Sequence, residues 1–200
     1  VVDRLGWRVD VSSHHGYSGD LDSVARAAGG PLTDAAGNTT IQYHADSRHE
    51  MAFHISTRLH ATTAAQRREK RKLLGSHRVA IVWCETGLNW DPKFLDASRG
   101  DVQLVVYPMP HNRPGLFRVH VLAKKSVRLF GPLLHGSVVR ADALPAMLRI
   151  TVQQAYHTLW RSDTDFEHPV KKRMRALNSL IGKHTMRSDS TGRVAHLFAD

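Results

Sequence analysis

Histidines and carboxylates at short spacing are the first candidates for chemistry in this chain. His49-Glu-Met-Ala-Phe-His54 holds two imidazoles and a carboxylate within six residues. A zinc-protease helix needs its histidines four apart on one face, with the glutamate beside the first. Here the spacing is five, and the stretch reads as strand, so no metal site is expected. The other histidines, His14-His15 included, show no ligand spacing. Cys84 ends an apolar run and reads as an inert buried thiol. A Gly-rich phosphate loop of the Walker type is missing, and so is a Gly-x-Ser-x-Gly elbow. The chain itself is therefore expected to hold no nucleotide or other cofactor, and serine hydrolysis has no support.

A different kind of site is suggested by Arg67-Arg-Glu-Lys-Arg-Lys72. Five cations within six residues fit a solvated helix face, a nucleic-acid patch or a localisation signal. No aromatics are interleaved for base stacking, which weakens the nucleic-acid reading. The run leads through Leu73-Leu-Gly75 to the polar corner Ser76-His77, and then to the apolar run Val79–Cys84. The rest of the chain reads as scaffold that presents this corner.

Composition sets the frame. The 200 residues carry 28 Lys and Arg against 18 Asp and Glu, a net charge of +10 that favours acidic partners. An apolar fraction of 42% fits a globular protein. One cysteine excludes an intrachain disulfide framework and fits a reducing compartment. No apolar run reaches the ~20 residues of a membrane span. Neither end resembles a signal peptide, and both read as edges cut from a longer chain.

In chain order, Gly6–Val11 alternates as a strand, and Leu21–Ala28 reads as a helical turn stopped by Gly29-Gly30-Pro31. Thr39–Tyr43 and Met51–Ile55 are further strands. Thr62 or Thr63 caps a helix, with Gln66 in capping-box register after Thr63, and Gly75 is its expected stop. Val79–Cys84 has the pattern of a central strand buried on both faces. Glu85–Gly100 is an irregular connection containing Asn89-Trp-Asp-Pro92. Val102–Tyr107 and Leu116–Leu122 are strands, with a short one at Val127–Phe130. A helix follows over Asp142–Trp160, with Leu144, Met147, Leu148, Thr151, Ala155 and Leu159 on one face. A linker leads to a basic helix from Pro169 to Ile181. The class is α/β, with a mixed central sheet flanked by helices.

Phe53-His-Ile-Ser-Thr-Arg-Leu59, the basic helix, Leu74-Gly75 and Val79–Trp83 together resemble the Rap/Ral/tuberin family of GTPase-activating domains, closest to its tuberin and RalGAP branch. Gly6–Val11 and Gly19-Asp-Leu21 resemble its amino-terminal part, and Phe130-Gly-Pro132 and Asp142–Trp160 its later part. The resemblance implies a Rap-GAP-like domain over residues 1–160. Residues 161–200 follow as linker, basic C-terminal helix and tail. It implies a small GTPase of the Rheb, Ral or Rap class as partner, Rheb first and Ral next. GTP and Mg would sit on that partner. It also implies a larger protein within a multi-subunit cytoplasmic complex that is recruited to membranes.

Members of the family place an asparagine thumb, at the end of the basic helix, in the partner's nucleotide site. A carboxamide there can orient the attacking water beside the γ-phosphate. In this chain Ser76 occupies the thumb position, His77 stands where an aspartate follows, and Leu73 where a histidine precedes. Arg67, Arg68, Lys70, Arg71, Lys72 and His54 would meet the partner. A serine is shorter and lacks the two-sided donor and acceptor geometry of an amide. The resemblance therefore implies an impaired activator. Three readings stay open: Ser76 introduced in place of asparagine, a non-catalytic relative that binds or scaffolds, or a contact supplied by His77 or Asn89. A basic nucleic-acid module is the remaining alternative.

Overall fold

The computed structural model describes residues 1–85, 90–91, 100–109, 113–162, 167 and 169–184. They fall into two compact units, Val1–Ser162 and Asp163–Asp200. In the first, β1 (Trp7–Asp10), β2 (Thr40–Ala45) and β3 (Glu50–Phe53) form an antiparallel sheet in that order. Val9 lies opposite Ile41, and Gln42 opposite Phe53. The second sheet has the order β4 (Val79–Trp83), β5 (Val102–Pro108), β6 (Leu116–Ala123) and β7 (Ser137–Arg140). Its β4 and β5 run parallel, and the other neighbours are antiparallel. The α/β class and the mixed sheet are as the sequence indicates, with the strands shared between two sheets.

Each sheet has its own core. Val102, Leu104, Val106 and Val119 meet Leu144, Leu148, Ala155 and Leu159 of α3 (Leu144–Ser162). The spacing of four and seven puts these α3 residues on one helical stripe. Burying each such side chain stabilises by about 1.5–3 kcal/mol. The other core joins Val11, Ile41, Tyr43 and Leu59 to Leu21 and Val24 of α1 (Leu21–Ala28) and to Leu73 of α2 (Ala64–Ser76). Leu73 thus anchors the basic helix to the three-stranded sheet's core.

Three expectations change. The run Val79–Cys84 is not a central strand: among the described residues β4 pairs with β5 alone, and Trp83 is 40% exposed. An apolar run reports side-chain chemistry, not the number of neighbouring strands. The strand buried along most of its length is β5, from Val102 to Val106. Val127–Phe130 is not a strand; the Val127 amide donates to the Lys124 carbonyl in a turn, and Val127 and Phe130 pack as single side chains on the core. The fourth strand is instead β7, a short segment whose residues alternate in exposure. Finally, α2 runs through Gly75 to Ser76, and its last turn carries no basic residue.

The second unit contains α4 (Pro169–His184). Among the described residues, no helix is long and apolar enough to cross a membrane.

Candidate functional site

The corner after α2 is built from both ends of the helix. At its start, the Thr63 hydroxyl accepts from the Gln66 amide at 3.1 Å, and the Gln66 side chain accepts from the Thr63 amide at 3.2 Å. This capping box satisfies two amides that the first turn leaves open. At its end, His77 turns to extended backbone, with φ −74° and ψ 132°. The Ser76 hydroxyl donates to the Leu73 carbonyl at 2.7 Å, satisfying one of the last turn's free carbonyls. No left-handed glycine is needed, which is why Gly75 does not end the helix.

Arg67, Arg68, Arg71 and Lys72 are exposed, while Glu69 and Leu73 are buried. At 100° per residue the four cations share one arc and Leu73 lies opposite. Arg68, Lys72 and Ser76 stand four apart, so Ser76 closes one ridge of the basic face. Glu69 lies 3.4 Å from Arg68 and 3.8 Å from Lys72, which ties part of that charge to the helix. Arg67 donates to the Thr62 carbonyl at 2.7 Å. Lys70 is set apart: half-buried, it donates to the Ser56 carbonyl at 2.7 Å, and burial lowers its pKa. Four of the five expected partner-facing cations thus share a surface, and Lys70 braces the Ser56–Arg58 turn.

His54 and His77 come together behind Ser76. Their rings stack 4.7 Å apart, and Nδ1 of His54 lies 2.6 Å from Nε2 of His77. One of these nitrogens must donate and the other accept. Burial, then the neighbouring His77, lowers the pKa of His54 to about 4, with the Gly19 backbone pulling the other way. Burial also lowers that of His77, against the opposing field of Asp20. Both rings are therefore neutral near pH 7, and His77 keeps Nδ1 as its remaining polar atom. His54 is half-buried and serves the corner from behind, which sequence reasoning did not separate from the exposed cations.

The remaining wall is Gly19-Asp20, left-handed at both residues, with φ 67° and 64°. A Cβ on Gly19 would lie 2.7 Å from Nε2 of His54 and 2.8 Å from Ile41, so only glycine fits. Asp20 is the one described non-glycine residue with positive φ, strain of the kind that collects at functional sites. The sequence carried its signal only as Gly-Asp before α1, and its approach to His77 is tertiary. On the far side, Arg78 donates to the Asp101 carboxylate at 2.7 Å, which Lys124 also meets at 2.9 Å. The Asp101 and Val102 amides donate to the Arg78 carbonyl at 2.7 and 3.0 Å. The corner is thereby tied to the start of β5.

His49 does not join His54; its Nε2 lies 3.2 Å from Nε2 of His157 on α3, and its Nδ1 2.7 Å from Gln153. Among the described residues, no group of three His, Cys, Asp or Glu is arranged to hold a metal. The cavity beside His54, lined by Gln42, Phe53 and Leu59 among others, holds about 10 Å³, room for one water. Asn89 lies outside the described residues.

Chemically, the corner offers a surface for a macromolecule: an exposed basic ridge that ends in a hydroxyl, with neutral imidazoles behind it. With its proton committed to Leu73, the Ser76 oxygen can accept a hydrogen bond but has no donor left over.

Comparison with known proteins gives three findings. A family model described as Rap/ran-GAP matches residues 1–177. The human Ral GTPase-activating protein subunit alpha-1 is 31% identical over 183 residues, 92% of this chain and 8% of its own length. The mouse Ral GTPase-activating protein subunit alpha-2 is 31% identical over 150 residues, 75% of this chain and 7% of its own length. The chain thus spans less than a tenth of these curated relatives. Among solved structures, one titled as the TSC2 GAP domain superposes with a TM-score of 0.63 at 18% identity. The match covers 81% of this chain and 83% of that one. At that identity the likeness is one of fold.

Proposed function

The chain belongs to the Rap/ran-GAP family, and on that premise we propose that it docks a GTP-loaded small GTPase of the Ras superfamily on the exposed ridge of α2. Ser76 then stands at the partner's nucleotide site, where the family's asparagine thumb stands. Ral comes before Rheb and Rap as the partner, because the relatives at 31% identity are named for Ral. The nucleotide and its Mg belong to the GTPase. The basic ridge steers a partner whose nucleotide and surrounding loops are anionic.

One observation carries the mechanistic reading: the Ser76 hydroxyl is folded back on Leu73. Positioning and electrostatics supply nearly all of phosphoryl-transfer catalysis. A group that only accepts can accept a hydrogen bond from the attacking water but cannot at the same time donate one to a phosphate oxygen. His77 is neutral and tethered to His54, so it adds no cation there. Activation of hydrolysis is therefore weak, and the domain binds more than it catalyses. The same observation favours the second reading, a non-catalytic subunit that captures the GTPase for a larger assembly.

Single-turnover GTP hydrolysis by Ral tests this, with the chain and its Ser76→Asn variant side by side. The expected result is little acceleration by the chain and about 100-fold or more by the variant, the scale of one transition-state contact. Full activity of the unaltered chain would contradict impairment and move attention to His77 and Asn89. Binding of GTP-loaded Ral without acceleration by either protein would support the capturing subunit.

A further inference from the structure

The second unit carries an exposed apolar arc on a basic helix. Val170, Met174, Leu177, Leu180 and Ile181 of α4 are each 52–60% exposed. On a helix of 3.6 residues per turn these five fall within an arc of about 120°. The helix contains Lys171, Lys172, Arg173, Arg175 and Lys183 and no Asp or Glu. Lys171 flanks the apolar arc on one side and Lys183 on the other, Lys172 and Arg175 lie on the face opposite, and Arg173 falls within the arc between Leu177 and Leu180. Arg175 is paired with Glu167 at 2.6 Å, which leaves four cations without an acidic residue on their own helix.

We propose that α4 lies on an anionic phospholipid surface, its apolar arc in the headgroup boundary and its flanking lysines on the lipid phosphates and carboxylates. Apolar residues confined to one arc, a cationic remainder and a helix too polar to span are the marks of an interfacial helix. Cations on both sides of the arc suit a planar anionic surface better than a groove. A groove-bound helix also relies on bulky anchors at fixed spacing, and α4 has no aromatic residue. The inference is independent of which GTPase is bound and of the role of Ser76.

Co-sedimentation of the 200-residue chain with vesicles tests it. Phosphatidylcholine alone is compared with phosphatidylcholine containing 30% phosphatidylserine, at low and physiological salt. Binding should appear on the anionic vesicles and fall with salt. It should drop about tenfold or more in Lys171→Glu/Lys183→Glu, since each basic residue near such a surface contributes about fivefold. Met174→Gln/Leu177→Gln keeps helix-forming residues but removes apolar area, and should also lose binding. Circular dichroism of each variant verifies that helix content is retained. Equal binding to neutral and anionic vesicles, or no loss in the glutamine variant, would overturn the proposal. So would a concentration-dependent dimer, seen by light scattering without vesicles and dissolved by the glutamine variant, because a second copy would then own this face.

Discussion

The two basic helices, α2 and α4, look alike in sequence and behave differently in the structure. Each holds about five cations, yet α2 buries Leu73 and Glu69, is closed by a capping box and braces Lys70 on a neighbouring turn. By contrast, α4 exposes its apolar arc and has no internal acid. Charge count does not distinguish a helix built into a fold from one left open to a surface. What lies on the opposite face does.

The largest effect that would break this contrast is on stability. Leu73→Ala should cost about 2–4 kcal/mol in urea unfolding of the first unit, as for other buried leucines. Leu177→Ala should change it by less than about 0.5 kcal/mol, since its side chain is half exposed. Equal costs would mean that α4 is built in as firmly as α2.

The next effect is on pH. His54 has its folded pKa lowered from 6.5 to about 4, so between those values the unfolded chain binds more protons than the folded one. Stability is therefore complete above pH 6.5 and falls as pH drops toward 4. Going from pH 7 to pH 5 should cost about 2 kcal/mol, and His54→Asn should flatten that loss. A variant with the same slope as the unaltered chain would place the titration elsewhere.

Smaller is the cap. Thr63→Ala should lower stability by about 1 kcal/mol without altering the basic ridge. Thermal melts would show it, and an unchanged midpoint would mean that tertiary packing alone sets the start of α2.

Much of this was legible in sequence because local physics governs it. The capping box at Thr63 and Gln66, the α3 stripe and the spans of β5 and β6 follow from spacing and side-chain type. The edge position of β4, the pairing of His54 with His77 and the strained Gly19-Asp20 wall depend on contacts between residues 20 or more apart. No local period encodes them. The end of α2 lies two residues beyond the expected stop because a serine hydroxyl does what a left-handed glycine was expected to do. The exposure of the α4 arc is likewise tertiary: an amphipathic pattern states that a face wants cover, not whether it has any.

Association of soluble GTP-loaded Ral, measured by stopped flow at physiological salt, tests most directly whether the two helices serve different surfaces. Three proteins are compared: the unaltered chain, Arg68→Glu/Lys72→Glu and Lys171→Glu/Lys183→Glu. Reversal on the α2 ridge should slow association about tenfold, while reversal on α4 should change it less than about twofold, because the flanking lysines of α4 are assigned to lipid, which is absent from this measurement. Equal slowing by both variants, or slowing by the α4 variant alone, would contradict the assignment of the GTPase to α2.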